Sequence, residues 1–321
     1  MGVAKFPTGP APVVPIWAYG PEGIHLSDIP AREGGRLPTF VVIGAAKCGT
    51  TALNSYLEQH PDVAMCPHKE PHFFSTDVLY DRGLDWYRGL YAECGPAKAY
   101  GEASTSYSRA PEYAVAAERL HDAIPDARLV YLVREPVSRT QSDVLQALKY
   151  AEHALGRAAA SDGLDVLLER NPVAVHSSEY IVQIRHYLTR FDRSQLLVVL
   201  QDDLRDDPHR TLAKIFAFIG VDPSVAVAVR PAENATAGYL DSVRDARLLA
   251  KLRRIPQYES IKSWVPAGLK ERLKSAMRRY AGNNESLALS RATRDDLKRH
   301  FAPFNAELAE FLGRDLGAWA R

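Results

Sequence analysis

The chain has 321 residues, 46% hydrophobic and 25% charged, the composition of a folded globular protein rather than a disordered, collagen-like or disulfide-stapled one. Lys and Arg number 40 against 39 Asp and Glu, a net charge of +1, so bulk charge draws it neither to nucleic acid nor to anionic lipid and any anion site must be local. Cys48, Cys66 and Cys94 form no C-x-x-C pair and no zinc-finger spacing, which fits a reducing compartment.

In chain order, residues 1–37 read as a Pro- and Gly-rich arm, because Pro7, Pro10, Pro12, Pro15, Pro21 and Pro30 would interrupt a helix or central strand. The arm lacks a signal-peptide pattern and no segment reaches the roughly 20 apolar residues of a membrane span, so the expectation is a cytoplasmic protein with no membrane partner. Residues 38–321 are expected to form one domain. Thr39–Ile43 is a β-branched apolar run, and after a short loop Thr51–Gln59 places Ala52, Leu53, Tyr56 and Leu57 at helical spacing. Ala127–Val133 and Val137–Tyr150 repeat that strand-loop-helix unit, and Gln195–Leu200 leads into a helix from Pro208 to Ile219, closed by Gly220. Glu179–Phe191 and Thr293–Leu312 carry helical apolar stripes, and between them Arg244–Arg279 is rich in Lys and Arg. Strands alternating with helices predict an α/β fold with a mostly parallel sheet flanked by helices.

The chemistry concentrates in two loops. Gly44-Ala45-Ala46-Lys47-Cys48-Gly49-Thr50-Thr51 lies between a strand and a helix. Small residues let backbone wrap an anion there, and a helix start aims its free N–H groups at it. The run is not a Walker A loop, since Lys47 precedes Gly49 instead of following it. Arg134-Glu135-Pro136 through Ser142 follows the next strand, so that Arg134 sits at a carboxyl strand end, where open α/β sheets place ligands. Arg134 and Ser142 could together clamp a second phosphate.

In that order and spacing the two segments resemble the sulfotransferases that use 3′-phosphoadenosine 5′-phosphosulfate (PAPS). The resemblance implies a 5′-phosphosulfate loop at Lys47, Cys48, Gly49, Thr50 and Thr51, and a 3′-phosphate site at Arg134 and Ser142. Lys69-Glu70-Pro71-His72-Phe73-Phe74 further resembles the heparan-sulfate, Golgi-type branch and its bacterial members, in which a carboxylate at the Glu70 position acts as base. The resemblance runs from Thr39 onward through Tyr100–Tyr107 (YGEASTSY) to Phe301–Trp319. Ala103 departs from it where several heparan-sulfate enzymes carry Lys, which speaks against a polyanionic glycan acceptor.

These residues imply in-line sulfuryl transfer to a hydroxyl, or alternatively an amine, of a small metabolite or carbohydrate. Lys47 would offset charge on the leaving phosphate, Glu70 would take the acceptor proton, and His72 would orient Glu70 or replace it as base. No metal is expected, because Lys47 and the helix start supply positive charge. The acidic run Asp202, Asp203, Asp206 and Asp207 lacks EF-hand spacing and is expected to cap a helix. Two rivals remain at this stage: a nucleotide-dependent kinase, which should carry a Walker-type Gly-Lys-Ser/Thr, and a non-catalytic nucleotide-sensing module. Acceptor identity and oligomeric state are not legible.

Overall fold

A computed structural model describes residues 29–155, 163–170, 172–229 and 288–320. Most of the expected arm, and all of the basic stretch Arg244–Arg279, fall outside these residues. Five parallel strands form one sheet in the order β2-β3-β1-β4-β5. They are β1 (Phe40–Gly44), β2 (Val63–Met65), β3 (Ala99–Ala103), β4 (Arg128–Val133) and β5 (Leu196–Leu200). Central β1 pairs with β3 through Phe40 opposite Gly101 and with β4 through Phe40 opposite Arg128. The sheet thus runs outward in both directions from β1, and the carboxyl end of β1 opens the crevice in which α/β sheets bind ligands.

The helices are α1 (Thr50–Leu57), α2 (Asp77–Tyr80), α3 (Gly83–Gly89), α4 (Val115–Ala123), α5 (Pro136–Leu155), α6 (Leu164–Glu169), α7 (Val173–His176), α8 (Tyr180–Leu188), α9 (Gln201–Asp206), α10 (Pro208–Ile219) and α11 (Arg291–Leu312), with a 3₁₀ turn at Thr105–Ser108. Phe40, Val41, Val42 and Leu129 to Val133 are buried on both faces of the sheet, as continuous apolar runs require. Asp207 caps α10 by accepting the Arg210 N–H at 3.2 Å, so the acidic run ends in a helix cap as its spacing suggested, while Asp202, Asp203 and Asp206 lie within α9 itself.

The chain divides into two compact units. The first holds residues 1–140, 172–231 and 296–321, and therefore the whole sheet; the second holds residues 141–171 and 232–295. Within the second, Leu164, Leu168 and Leu289 are buried, and Asp165 accepts the Ser290 N–H at 3.0 Å.

Candidate active site

β1 ends at Gly44, where its register with β4 shifts between Val42 and Gly44 and φ is 139°. A Cβ built there would lie 2.0 Å from Ser108 Oγ, so only glycine fits. The chain then turns through Lys47 (φ 70°) and Gly49 (φ 93°) into α1. No side chain caps α1 among the described residues, leaving its first N–H groups and the positive dipole end directed at whatever occupies the loop. The passage from β4 into α5 differs: the Glu135 carboxylate caps α5, accepting from the Val137 and Ser138 N–H groups at 2.8 and 2.7 Å.

The loop is braced from below by a residue the sequence did not single out. Arg139 is fully buried; its Nε donates to Ala46 O at 3.0 Å and its Nη1 to Ala174 O at 2.8 Å and Ser178 Oγ at 3.1 Å. Tyr180, buried at the start of α8, accepts the Arg134 N–H at 3.4 Å and lies 3.8 Å from Cys48 Sγ, so it packs beneath the loop and the end of β4 together. Arg134 follows β4 half-buried, and its Nη1 donates to Lys47 O at 3.5 Å. Arg134 and the Lys47–Thr51 loop are therefore neighbours. Ser142 lies on α5, half-buried, in the second unit.

The segment after β2 brings the third group in. Phe73 stacks on Tyr87 with ring centroids 4.5 Å apart, fixing residues 69–76 against α3. Lys69 Nζ donates to Thr51 Oγ1 at 2.7 Å, tying the segment to the first turn of α1, and lies 3.8 Å from Glu70 Oε1. Glu70 Oε2 accepts the Thr105 hydroxyl at 3.2 Å and faces His72 Nε2 at 3.3 Å. Burial pushes the Glu70 carboxyl up, but His72, Lys69 and Thr105 outweigh it and hold the group below the ordinary carboxyl value. Lys47, Glu70 (φ 55°) and His72 (φ 51°) are the described non-glycine residues with positive φ. Sparsely populated backbone of this kind persists where surrounding contacts enforce it, commonly at functional sites.

Those contacts come from β3 and the turn after it. The His72 N–H donates to Ser104 Oγ at 3.0 Å, and the Ser104 hydroxyl donates to Glu102 Oε2 at 2.5 Å. Tyr87 and Tyr107 hydroxyls donate to Glu102 Oε1 at 2.5 and 2.9 Å. Burial pushes the Glu102 carboxyl up, and its three hydroxyl donors offset that only in part. Ser104, Thr105 and Ser106 were visible in the sequence only as part of a resemblance; the signal that marks them is a run of three hydroxyls at the end of a strand. Among the described residues no group of three His, Cys, Asp or Glu side chains is placed to hold a metal ion.

An uncapped helix start after the central strand, an arginine at the neighbouring strand end and a carboxylate on the segment tied to that helix thus lie together in an α/β fold. Residues 37–279 match the family model described as the sulfotransferase domain, and the chain belongs to the sulfotransferase family. It is 33% identical over 204 residues to heparan sulfate glucosamine 3-O-sulfotransferase 6 of Homo sapiens, a match covering 63% of this chain and 57% of that protein. It is 29% identical over 210 residues to heparan sulfate glucosamine 3-O-sulfotransferase 5 of Mus musculus, covering 64% and 58%. The matches thus span little more than half the length of these curated relatives. Among solved structures, the sulfotransferase from Alicyclobacillus acidocaldarius is similar at 25% identity and a TM-score of 0.59, covering 89% of this chain and 100% of the other.

Proposed function

We propose that the protein transfers the sulfuryl group of PAPS to a hydroxyl of a carbohydrate or small metabolite, with Glu70 as general base. The observation that carries the reading is the Lys69–Thr51 bond of 2.7 Å, which ties the candidate base to the first turn of the helix aimed at the phosphate loop. Family membership supports sulfuryl transfer, and the names of the curated relatives, which specify an oxygen of glucosamine in heparan sulfate, support a sugar hydroxyl.

PAPS, when bound, supplies the sulfuryl group, whose sulfur is attacked in line by the acceptor oxygen as its bond to the 5′-phosphate breaks with the electron pair. Lys47, the N–H groups of Gly49, Thr50 and Thr51, and Cys48 within the same turn would hold the 5′-side, and Arg134 the 3′-phosphate. Lys47 and the start of α1 stabilise negative charge as it grows on the leaving oxygen. The Glu70 carboxylate removes the acceptor proton; Thr105 and His72 fix its orientation. Ala103, at the end of β3 beside this cluster in sequence, brings no cation to the acceptor side, which suits an acceptor less charged than a sulfated glycan.

The test is Glu70→Gln, which keeps size and polarity but removes basicity. kcat should fall by roughly 100-fold or more while affinity for 3′-phosphoadenosine 5′-phosphate stays close to that of the parent. Near-normal turnover in Glu70→Gln, with collapse in His72→Gln, would move the base to the histidine.

A further inference from the structure

Lys69 has a place in the site that its pairing with Glu70 does not account for. Its Nζ donates to Thr51 Oγ1 at 2.7 Å and lies 3.8 Å from Glu70 Oε1, on a side chain 33% exposed. An ammonium carries three protons. Thr51 takes one, and Glu70 Oε1 stands beyond hydrogen-bond range. Two donors are therefore left on a cation that touches the first turn of α1 on one side and the candidate base on the other. Thr51 is exposed and Lys69 and Glu70 are half-buried, so a ligand can reach all three.

We propose that Lys69 binds the sulfuryl oxygens of the donor and thereby tells the loaded nucleotide from the spent one. The assignment rests on PAPS being the donor and Glu70 the base. The 5′-phosphate then belongs at the loop and the start of α1, where Thr51 stands, and the acceptor hydroxyl must reach Glu70 to lose its proton. The sulfuryl group has its place between those two ends, and Lys69 Nζ touches both. The loop cannot make this distinction by charge alone. A 5′-phosphosulfate carries one charge on its phosphate and one on its sulfate, whereas the bare 5′-phosphate, with a second ionisation near about 6, carries nearly two at neutral pH. Lys47 and the helix start therefore gain almost as much from the product as from the donor. A cation one group farther out does not. An ionised Glu70 by itself would repel a sulfate, and an ammonium beside both lets the two anions share the site. The same contact assists turnover, because sulfuryl transfer, like phosphoryl transfer, spreads charge over the three equatorial oxygens.

The experiment is calorimetry of the full chain without acceptor, at about pH 7.5 so that the bare phosphate is doubly ionised, titrated in turn with PAPS and with 3′-phosphoadenosine 5′-phosphate. Lys69→Met should raise the Kd for PAPS roughly 10- to 100-fold, the range of a hydrogen bond to a charged group. The Kd for the product should rise roughly fivefold at most, the upper end for an exposed ion pair. Equal losses for both nucleotides, or none for either, overturn the proposal; should Lys69→Met melt far below the parent, Lys69→Gln, neutral and shorter, decides in its place. Repeating the comparison in Glu70→Gln separates contact from screening. The selective loss of PAPS should persist there, and its disappearance would show that Lys69 only masks the Glu70 charge, which overturns the proposal as well. A parent that binds neither nucleotide would instead remove PAPS as the donor, and with it both the proposed function and this contact.

Discussion

Replacing Arg139 with methionine should weaken the protein far more than a change in the first turns of a surface helix ordinarily does. The side chain is fully buried and holds Ala46 O, Ala174 O and Ser178 Oγ at 3.0, 2.8 and 3.1 Å. Methionine fills most of the volume, so the loss is in hydrogen bonds rather than in a cavity. Ala174 O keeps the hydroxyls of Thr140 and Ser178 as donors, at 3.3 and 3.0 Å, and Ser178 keeps Thr140 at 2.8 Å. Ala46 O is left with the Cys48 thiol at 3.8 Å. Of these three bonds, the charge-assisted one to Ala46 O is lost without an equal replacement, about 1.5–3 kcal/mol, and the relief of no longer burying a guanidinium favours the lower end. At roughly 2–4 °C per kcal/mol for a unit of this size, Tm should drop by about 3–12 °C. Because Ala46 immediately precedes Lys47, affinity for 3′-phosphoadenosine 5′-phosphate should fall in parallel. Calorimetry reads both quantities on the same samples. An unchanged Tm with normal nucleotide affinity would refute the view that Arg139 braces the phosphate loop.

Arg134→Ala should weaken binding of the same nucleotide by about 1.5–3 kcal/mol, roughly 10- to 150-fold, and leave AMP binding much less affected; equal losses for both nucleotides would take the 3′-phosphate away from Arg134. The acid limb of kcat should lie below the ordinary carboxyl value of 4.5, since its neighbours hold Glu70 ionised to lower pH; a limb near about 6.5 would point to a histidine instead. Glu102 has the opposite sign. Its folded carboxyl is raised above 4.5, so its contribution to stability is full below that value and is lost as pH rises through the raised one. Glu102→Gln cannot lose that contribution, so the Tm gap between parent and variant should narrow as pH rises, and a widening gap would show that the Glu102 carboxyl is held ionised instead.

Much of this architecture could be read from the chain, for identifiable reasons. β1, β4 and β5 are apolar runs; β1 is followed by a helix with an apolar stripe and β4 by one with a Pro start, while the short acidic α9 lies between β5 and the Pro-started α10. β2 and β3 were not legible as strands. β2 has three residues, and β3 (AYGEA) carries Gly101 and Glu102 within a fully buried strand. A carboxylate in a strand interior reads as exposed surface; here the hydroxyls of Tyr87 on α3, of Ser104 and of Tyr107 on the 3₁₀ turn satisfy it, a convergence no strand pattern announces. Glycine at 101 reads as a turn, whereas a Cβ there would strike the Phe40 ring at 2.1 Å. The candidate site divides the same way. Lys47, Glu70, His72 and Arg134 were recognisable from motif and resemblance, while Arg139 hid in plain view because an arginine near a helix start suggests solvent, and its carbonyl partners on the β1 loop and α7 are distant in sequence.

The left-handed backbone at Lys47, Glu70 and His72 also restricts how the protein can vary. At such positions Val, Ile and Thr are disfavoured by their branching whatever the chemistry demands, while Gly, Asn and Asp fit with little cost. A random library at these three codons would therefore be filtered twice, once by the shape of the main chain and once by turnover, and the two filters favour different residues. Glycine relieves about 1 kcal/mol of main-chain cost at each position while discarding the side chain that the proposed reaction uses. If the proposed roles hold, variants selected for thermal resistance alone should drift toward loss of turnover at these three codons, so a screen intended to harden this scaffold must read the proposed sulfuryl transfer alongside melting.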